Sequence, residues 1–244
     1  TEEYISEKFY KWYNALLFGG KYKDHKNKLR KISEKDCLIN NVCFVGDEED
    51  KKQIAQIIIN RLIFIKFLQS KGIIKNDLLS YIISSKEDVV NFKLKQLFFN
   101  VLAIELKSRA DVDEKFKDVI YVDGSLFTRI PAEDRNADYK IKSDILKEVI
   151  EFLDGFEFIH KEWTKEKEAL DPEILGYIFE RAMTAEDRKG TGAYYTPKFI
   201  TKYIVEKTLH PVILNKINNY LRSEKNYGQL LQMGDLFNLP KTAL

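Results

Sequence analysis

Apolar residues recur at helical spacing along most of this chain. Ile5, Phe9, Trp12, Tyr13 and Leu16 share one face, and Gly19-Gly20 ends the run, which predicts an opening helix. A second stripe of Ile54, Ile57, Ile58, Leu62, Ile65 and Leu68 closes at Gly72. The acidic residues Asp47 to Asp50 precede it, where they favour a helix N-terminus. From Phe92 to Leu106 apolar residues fall on nearly every turn, as in a core helix. Ser143 is expected to cap a helix bearing Ile145, Val149, Phe152 and Leu153. Asp171-Pro172 and Thr196-Pro197 each pair an N-cap residue with a proline at the first helical position. Leu175, Ile178, Phe179 and Ala182 follow the first pair; Ile200, Tyr203 and Ile204 follow the second. Beyond Pro211 a further amphipathic helix is expected through Leu221. Extended structure is expected only as short pieces: Cys37 to Val45, Tyr121 to Phe127 around an Asp123-Gly124 turn, and Phe156 to Ile159. The pattern predicts a mainly α protein with minor β. The charged stretch Trp163 to Ala169 reads as a linker, which puts a domain boundary near residue 165.

Charge adds little globally and more locally. The 244 residues carry 40 basic and 38 acidic side chains, a net charge of +2, so any contact with a polyanion needs a local patch. Lys21, Lys23, Lys26, Lys28, Arg30, Lys31 and Lys35 supply the best candidate, with Tyr22 and His25 interleaved. Arg188 and Lys189 are a second. The plainer reading of either run is a solvated face. Arg61 sits inside the second apolar stripe, between Ile58 and Ile65, where burial demands a carboxylate partner or a polar pocket; a structural salt bridge is the favoured reading and a phosphate contact the alternative. Cys37, Cys43, His25, His160 and His210 show no metal-ligand spacing, and reduced thiols are the default. No apolar run reaches spanning length and no signal-peptide pattern opens the chain. Acid-x-lysine tripeptides such as Asp113-Glu114-Lys115 occur, but none on a convincing strand beside a paired acid, which argues against a nuclease site.

The segment from Gly190 to Pro197 (GTGAYYTP) combines two loop glycines, two tyrosines and a capped helix start. Backbone amides at such a start attract small anions, including carboxylates, and the tyrosine faces can wall an aromatic or aliphatic ligand.

This stretch resembles the entrance of the methyltransferase domain in adenine-specific DNA methyltransferases, in particular the large single-chain type II restriction–modification enzymes. Further segments resemble that group in the same order: Ile54 to Ile74, Tyr121 to Phe127, Asp171 to Glu180, and Glu186 to Lys189 leading into Gly192. The resemblance runs from about residue 54 to about residue 210.

It implies a helical domain over residues 1–165, a connector to any upstream nuclease. Residues 166–244 would then hold the opening helices of a truncated Rossmann-like α/β methyltransferase domain. The parent enzyme would transfer a methyl group from S-adenosylmethionine to adenine N6 in double-stranded DNA, possessing endonuclease activity and a Mg2+ requirement only with a nuclease domain. Tyr194, Tyr195, Thr196 and Pro197 would flank the cofactor; Lys21, Lys23, Lys26, Lys28, Arg30, Arg188 and Lys189 would face DNA. A prokaryotic cytoplasmic location is implied as well. The family's Asp-Pro-x-x-Gly-Ser-Gly and Asn-Pro-Pro-Tyr loops do not occur in this sequence, so the chain alone is expected to be inactive. The alternative is a helical specificity or protein-interaction module with no cofactor contact.

Overall fold

The structure is a computed structural model that describes residues 2–24, 26–75, 77–122, 124–157 and 198–224, together with the isolated positions 168, 169, 176 and 196. The described residues are mainly helical, and the strands among them form three two-stranded pairings. The chain divides into two compact units, Thr1–Asp187 and Arg188–Leu244. The expected boundary near residue 165 lies outside the described residues.

The first unit opens with α1 (Glu2–Phe18), which buries Phe9, Trp12, Tyr13 and Leu16. Gly19 leaves this helix at φ 83°, and its α-carbon passes so close to the Glu34 backbone that a Cβ would lie 3.1 Å from it. A hairpin follows, β1 (Gly20–Lys23) with β2 (Leu29–Ile32).

The helix α2 (Glu48–Ser70) starts as its sequence requires. Asp47 accepts a hydrogen bond from the Glu49 amide at 3.2 Å, and Glu48, Glu49 and Asp50 fill the first turn. Gly72, at φ 69°, ends it with the Gly72 and Ile73 amides returning to the Gln69 and Leu68 carbonyls. Ile54, Ile58, Leu62 and Ile65 are fully buried and place α2 at the centre of the core.

Next come α3 (Leu78–Ile83) and α4 (Glu87–Gln96), which pack on each other, and the short α5 (Pro131–Arg135), which packs on α2. The two-residue strands β3 (Val42–Cys43) and β4 (Lys140–Ile141) pair antiparallel, and α6 (Ser143–Asp154) follows. Trp12 stacks on Phe152 of α6 at 4.1 Å between ring centroids, with Phe9 edge-on to it, joining α1 to α6. After α6, β5 (Phe156–Glu157) pairs in parallel with β6 (Glu168–Ala169).

Several expectations require correction. The strand expected from Cys37 to Val45 shrinks to Val42–Cys43, because Asn41 turns the preceding backbone. Its side-chain amide donates to the Lys35 and Cys37 carbonyls, which favours 3-10 turns over a ladder. The helix expected over Phe92 to Leu106 begins earlier, at Glu87, and passes into a π-helical turn over Leu97–Leu102; Phe92 itself is exposed. Among the described residues between Tyr121 and Phe127 the only regular element is a 3-10 turn, Ser125–Phe127. Ser143 lies in the first turn of α6 and does not cap it. Its amide and hydroxyl donate to the Glu87 carboxylate, so a negative side chain from another helix occupies the α6 N-terminus.

The second unit contains α7 (Lys198–Glu224). This helix runs through Pro211 without a break, where two helices were expected. Proline removes one amide from the ladder there, yet 27 residues of helix hold around it.

Candidate nucleic-acid interface

Strand register explains how the basic run is laid out. In the hairpin Lys21 faces Lys31, Tyr22 faces Arg30, and Lys23 faces Leu29. Paired residues share a face, and side chains alternate along each strand. Tyr22 and Ile32 are buried, so their face packs inward, whereas Lys21, Lys23, Lys31 and Leu29 project outward. Three ammonium groups are thereby collected on one face.

Asp24 builds the turn. Its Oδ1 accepts from the Lys26 and Lys28 amides at 3.0 and 2.9 Å, and its Oδ2 accepts from Arg30 Nε at 2.9 Å. Asn27 takes the left-handed conformation, φ 58°, that this tight turn needs. Partial burial opposes ionisation of Asp24, but Arg30 and the two amides overcome it and hold the carboxyl below its usual range. The Arg30 guanidinium is raised in turn, first by the Asp24 hydrogen bond.

Arg30 is therefore spent on the turn, while the side chains of Lys21, Lys23, Lys26 and Lys28 are exposed. His25, Arg188, Lys189, Tyr194, Tyr195 and Pro197 lie outside the described residues. Thr196 is described and exposed, two positions before α7 begins. The structure thus brings Lys21, Lys23, Lys26, Lys28 and Arg30 together on one hairpin.

Sequence reasoning missed Lys8 and Lys11, which α1 sets beside the hairpin. With Glu7, Lys21, Tyr22, Lys23 and Leu29 they line a groove of about 350 Å3. Lys8 is 5% exposed, and its Nζ donates to Asn27 Oδ1 at 3.3 Å, tying the helix to the hairpin turn. Lys11 pairs with Glu7 at 2.7 Å, and that hydrogen bond holds the Glu7 carboxyl below its usual range. Lys8 and Lys11, three apart in α1, were the available signal.

Arg61 occupies a different environment. It is completely buried and paired with Glu133 through Nη1–Oε1 at 2.6 Å and Nη2–Oε2 at 2.9 Å. Two further guanidinium protons go to the Leu126 carbonyl at 2.8 Å and the Thr128 carbonyl at 2.7 Å. Glu133 also accepts from Tyr139 Oη and from the Ile130 amide. The Phe98 and Phe99 rings lie 5.2 and 5.0 Å from the guanidinium carbon; the π-helical turn supplies both neighbouring aromatics. Burial raises the Tyr139 hydroxyl above its usual range, with Glu133 adding to it. Arg61 thus fastens the Ser125–Phe127 turn and α5 to α2, and is closed to any ligand.

Among the described residues no group of three His, Cys, Asp or Glu side chains is placed to hold a metal ion, and no helix is long and apolar enough to cross a membrane.

A helical domain with a basic hairpin at its edge is the class this geometry defines. Residues 21–182 match the family described as "Domain of unknown function (DUF7814)", and the chain belongs to that family. It is 37% identical, over 92% of its length, to a Methanocaldococcus jannaschii protein named as a type II restriction enzyme and methyltransferase. It is 25% identical, over 70% of its length, to DNA methyltransferase A of Bacillus subtilis. The chain spans only about a fifth of these curated relatives, 21% and 18% respectively. Of solved structures, the type IIL restriction-modification enzyme MmeI in complex with DNA matches with a TM-score of 0.43 and 20% identity, over 70% of this chain and 21% of that one.

Proposed function

We propose that this chain is the helical, DNA-facing part of a restriction–modification enzyme. The complete polypeptide would methylate adenine N6 in double-stranded DNA, using S-adenosylmethionine. The observation that carries this reading is the 37% identity, across nearly the whole chain, to a relative bearing both restriction and methyltransferase names. The outward lysines of the hairpin support it, because ammonium groups on one face neutralise backbone phosphates without reading sequence.

For the cofactor, the described residues offer Thr196 and the start of α7. An exposed threonine ahead of a 27-residue helix suits a carboxylate, since the first amides of a helix lack intrahelical partners. When bound, S-adenosylmethionine supplies the methyl group. Thr196 and the α7 amides would hold its carboxylate, with Tyr194 and Tyr195 packing beside it and Pro197 fixing the first turn. Arg188 and Lys189 would contact the DNA strand near that site, and Mg2+ enters only with a nuclease domain. The residues from 166 onward would begin the Rossmann-like domain.

Thr196→Ala in the complete enzyme is expected to weaken cofactor affinity about tenfold to a hundredfold, the worth of one hydrogen bond to a charged group. Calorimetric titration reads it. Equal affinity in the variant removes Thr196 from the cofactor site.

A second reading, an interaction module without cofactor contact, is favoured by one observation. Phe199, Tyr203, Ile204 and Leu209 of α7 are all at least half exposed, as expected of a helix that docks on a partner. Under that reading the same titration shows no effect of Thr196→Ala.

A further inference from the structure

A second group of cations gathers beside the buried Arg61–Glu133 pair, on residues the hairpin does not share. Lys95 of α4 lies against the segment that leads into β4. Its Nζ donates to the Tyr139 carbonyl at 2.6 Å and the Ala137 carbonyl at 2.9 Å, and sits 3.9 Å from the centre of the Tyr139 ring. Arg129 rests on Phe99 with its guanidinium carbon 4.3 Å from the ring centroid, and the Arg61 guanidinium approaches the same ring at 5.0 Å. Lys140 of β4, next in sequence to Tyr139, is exposed.

Negative charge does not match this gathering. Glu133 is buried and gives both carboxylate oxygens to Arg61, and the exposed Asp138 is the other carboxylate acting on Lys95. Burial holds the Lys95 ammonium below its usual range and Arg129 adds to the lowering; Glu133 and Asp138 oppose it, and Lys140 acts with Arg129. Like charges held near one another repel, and an anion placed among them removes that cost. Arg129 is exposed, and among the described residues neither its guanidinium nor the Lys140 ammonium has a carboxylate or carbonyl partner. Stacking on Phe99 orients the guanidinium while leaving its N–H donors unused, which suits two-pronged binding of a phosphate.

We infer that Arg129 and Lys140, together with Lys95, form a second phosphate-binding face for duplex DNA. The inference rests on the DNA-facing role proposed above and deepens it, because the backbone is then met at two separate places on the first unit.

The test is the salt dependence of duplex affinity, read by fluorescence anisotropy with the whole chain. Arg129→Gln with Lys140→Gln removes both charges at exposed positions and leaves Arg61 and Glu133 in place. The slope of log affinity against log salt is expected to fall by up to about 0.9 for each of the two that meets a phosphate. Lys107→Gln with Lys117→Gln makes the same change in net charge at lysines paired to Glu105 and Glu114, and is expected to leave the slope as it was. An unchanged slope in the Arg129 and Lys140 variant overturns the inference; a loss on removing the hairpin lysines would still leave the DNA-facing role standing. An equal fall in both double variants also overturns it, since net charge alone then accounts for the effect. If inorganic phosphate raises the unfolding temperature of the wild type alone while the slopes stay equal, the cations serve a free anion and the duplex claim is overturned. Failure of the wild-type chain to bind duplex removes the DNA-facing role itself, and this face with it.

Discussion

Arg61 and the hairpin lysines are all cations, yet the chain treats them in opposite ways. Around Arg61 every guanidinium nitrogen has a hydrogen-bond partner: a bidentate carboxylate and two carbonyls, with aromatic rings alongside. Lys21, Lys23 and Lys31 instead share an outward face, with Leu29 opposite Lys23. A buried charge has to find its partners within the fold, so it reports on how the fold is held. Cations massed on an exposed face add little to stability and remain available to an external anion.

The largest effect should come from breaking the buried pair. Glu133→Ala leaves the Arg61 guanidinium buried without its carboxylate and also strips acceptors from Tyr139 and the Ile130 amide. A loss of about 3–5 kcal/mol is expected in denaturant unfolding. A loss below about 1 kcal/mol would mean that Arg61 is not held as described.

Acid sensitivity follows from a second ion pair, between α2 and α5. Asp50 accepts from Arg135 Nε at 3.1 Å and Nη2 at 2.5 Å, and from Asn136 at 2.8 Å. The Arg135 hydrogen bond lowers the Asp50 carboxyl most; burial opposes it and Asn136 assists. The folded value lies below the unfolded one, so this contribution is complete above the ordinary carboxylate range. It is lost as the pH falls through that range toward the lower folded value. Stability measured from pH 6 downward is expected to fall more gently in Asp50→Asn; an unchanged slope would exclude Asp50 as a source.

A smaller effect is expected at Trp12. Its Nε1 is buried without a hydrogen-bond partner, whereas the polar atoms around Arg61 are satisfied. Trp12→Phe removes that orphan donor while keeping an aromatic ring over Phe152. Thermal unfolding is expected to show a cost under about 1.5 kcal/mol, as for a near-conserving core replacement. A cost near that of Glu133→Ala would reveal a partner for the indole N–H.

The smallest effect on stability belongs to the hairpin. Lys21→Ala, Lys23→Ala and Lys31→Ala together are expected to change unfolding free energy by no more than about 0.5 kcal/mol per site. A larger loss would give the hairpin lysines a share in holding the fold.

The stripe Ile54, Ile58, Leu62 and Ile65 was legible from helical spacing, and so was the need of Arg61 for a partner, with a carboxylate favoured, because both follow from local period and burial. That the carboxylate is Glu133, 72 positions away, was not, since tertiary proximity leaves no mark in a single sequence. The hairpin was legible as charge and hidden as structure. Its strands are four residues each, and what holds them is Asp24 gathering the turn and Tyr22 and Ile32 packing inward. Ser143 misled because a serine ahead of an apolar run usually caps, whereas Glu87 from another helix takes that position here. Pro211 misled because a helix this long sustains one missing amide. Of the candidate site, the clustering of Lys21, Lys23, Lys26 and Lys28 followed from their spacing, while the contribution of Lys8 and Lys11 required α1 to be in place.

The most direct test of the hairpin as a phosphate-binding face is the salt dependence of duplex affinity, wild type against the triple variant Lys21→Ala, Lys23→Ala, Lys31→Ala. The plot of log affinity against log salt is expected to lose up to about 0.9 of its slope for each lysine that meets a phosphate, with weakening independent of DNA sequence. An identical slope in the two proteins would contradict it and return these lysines to ordinary solvated surface.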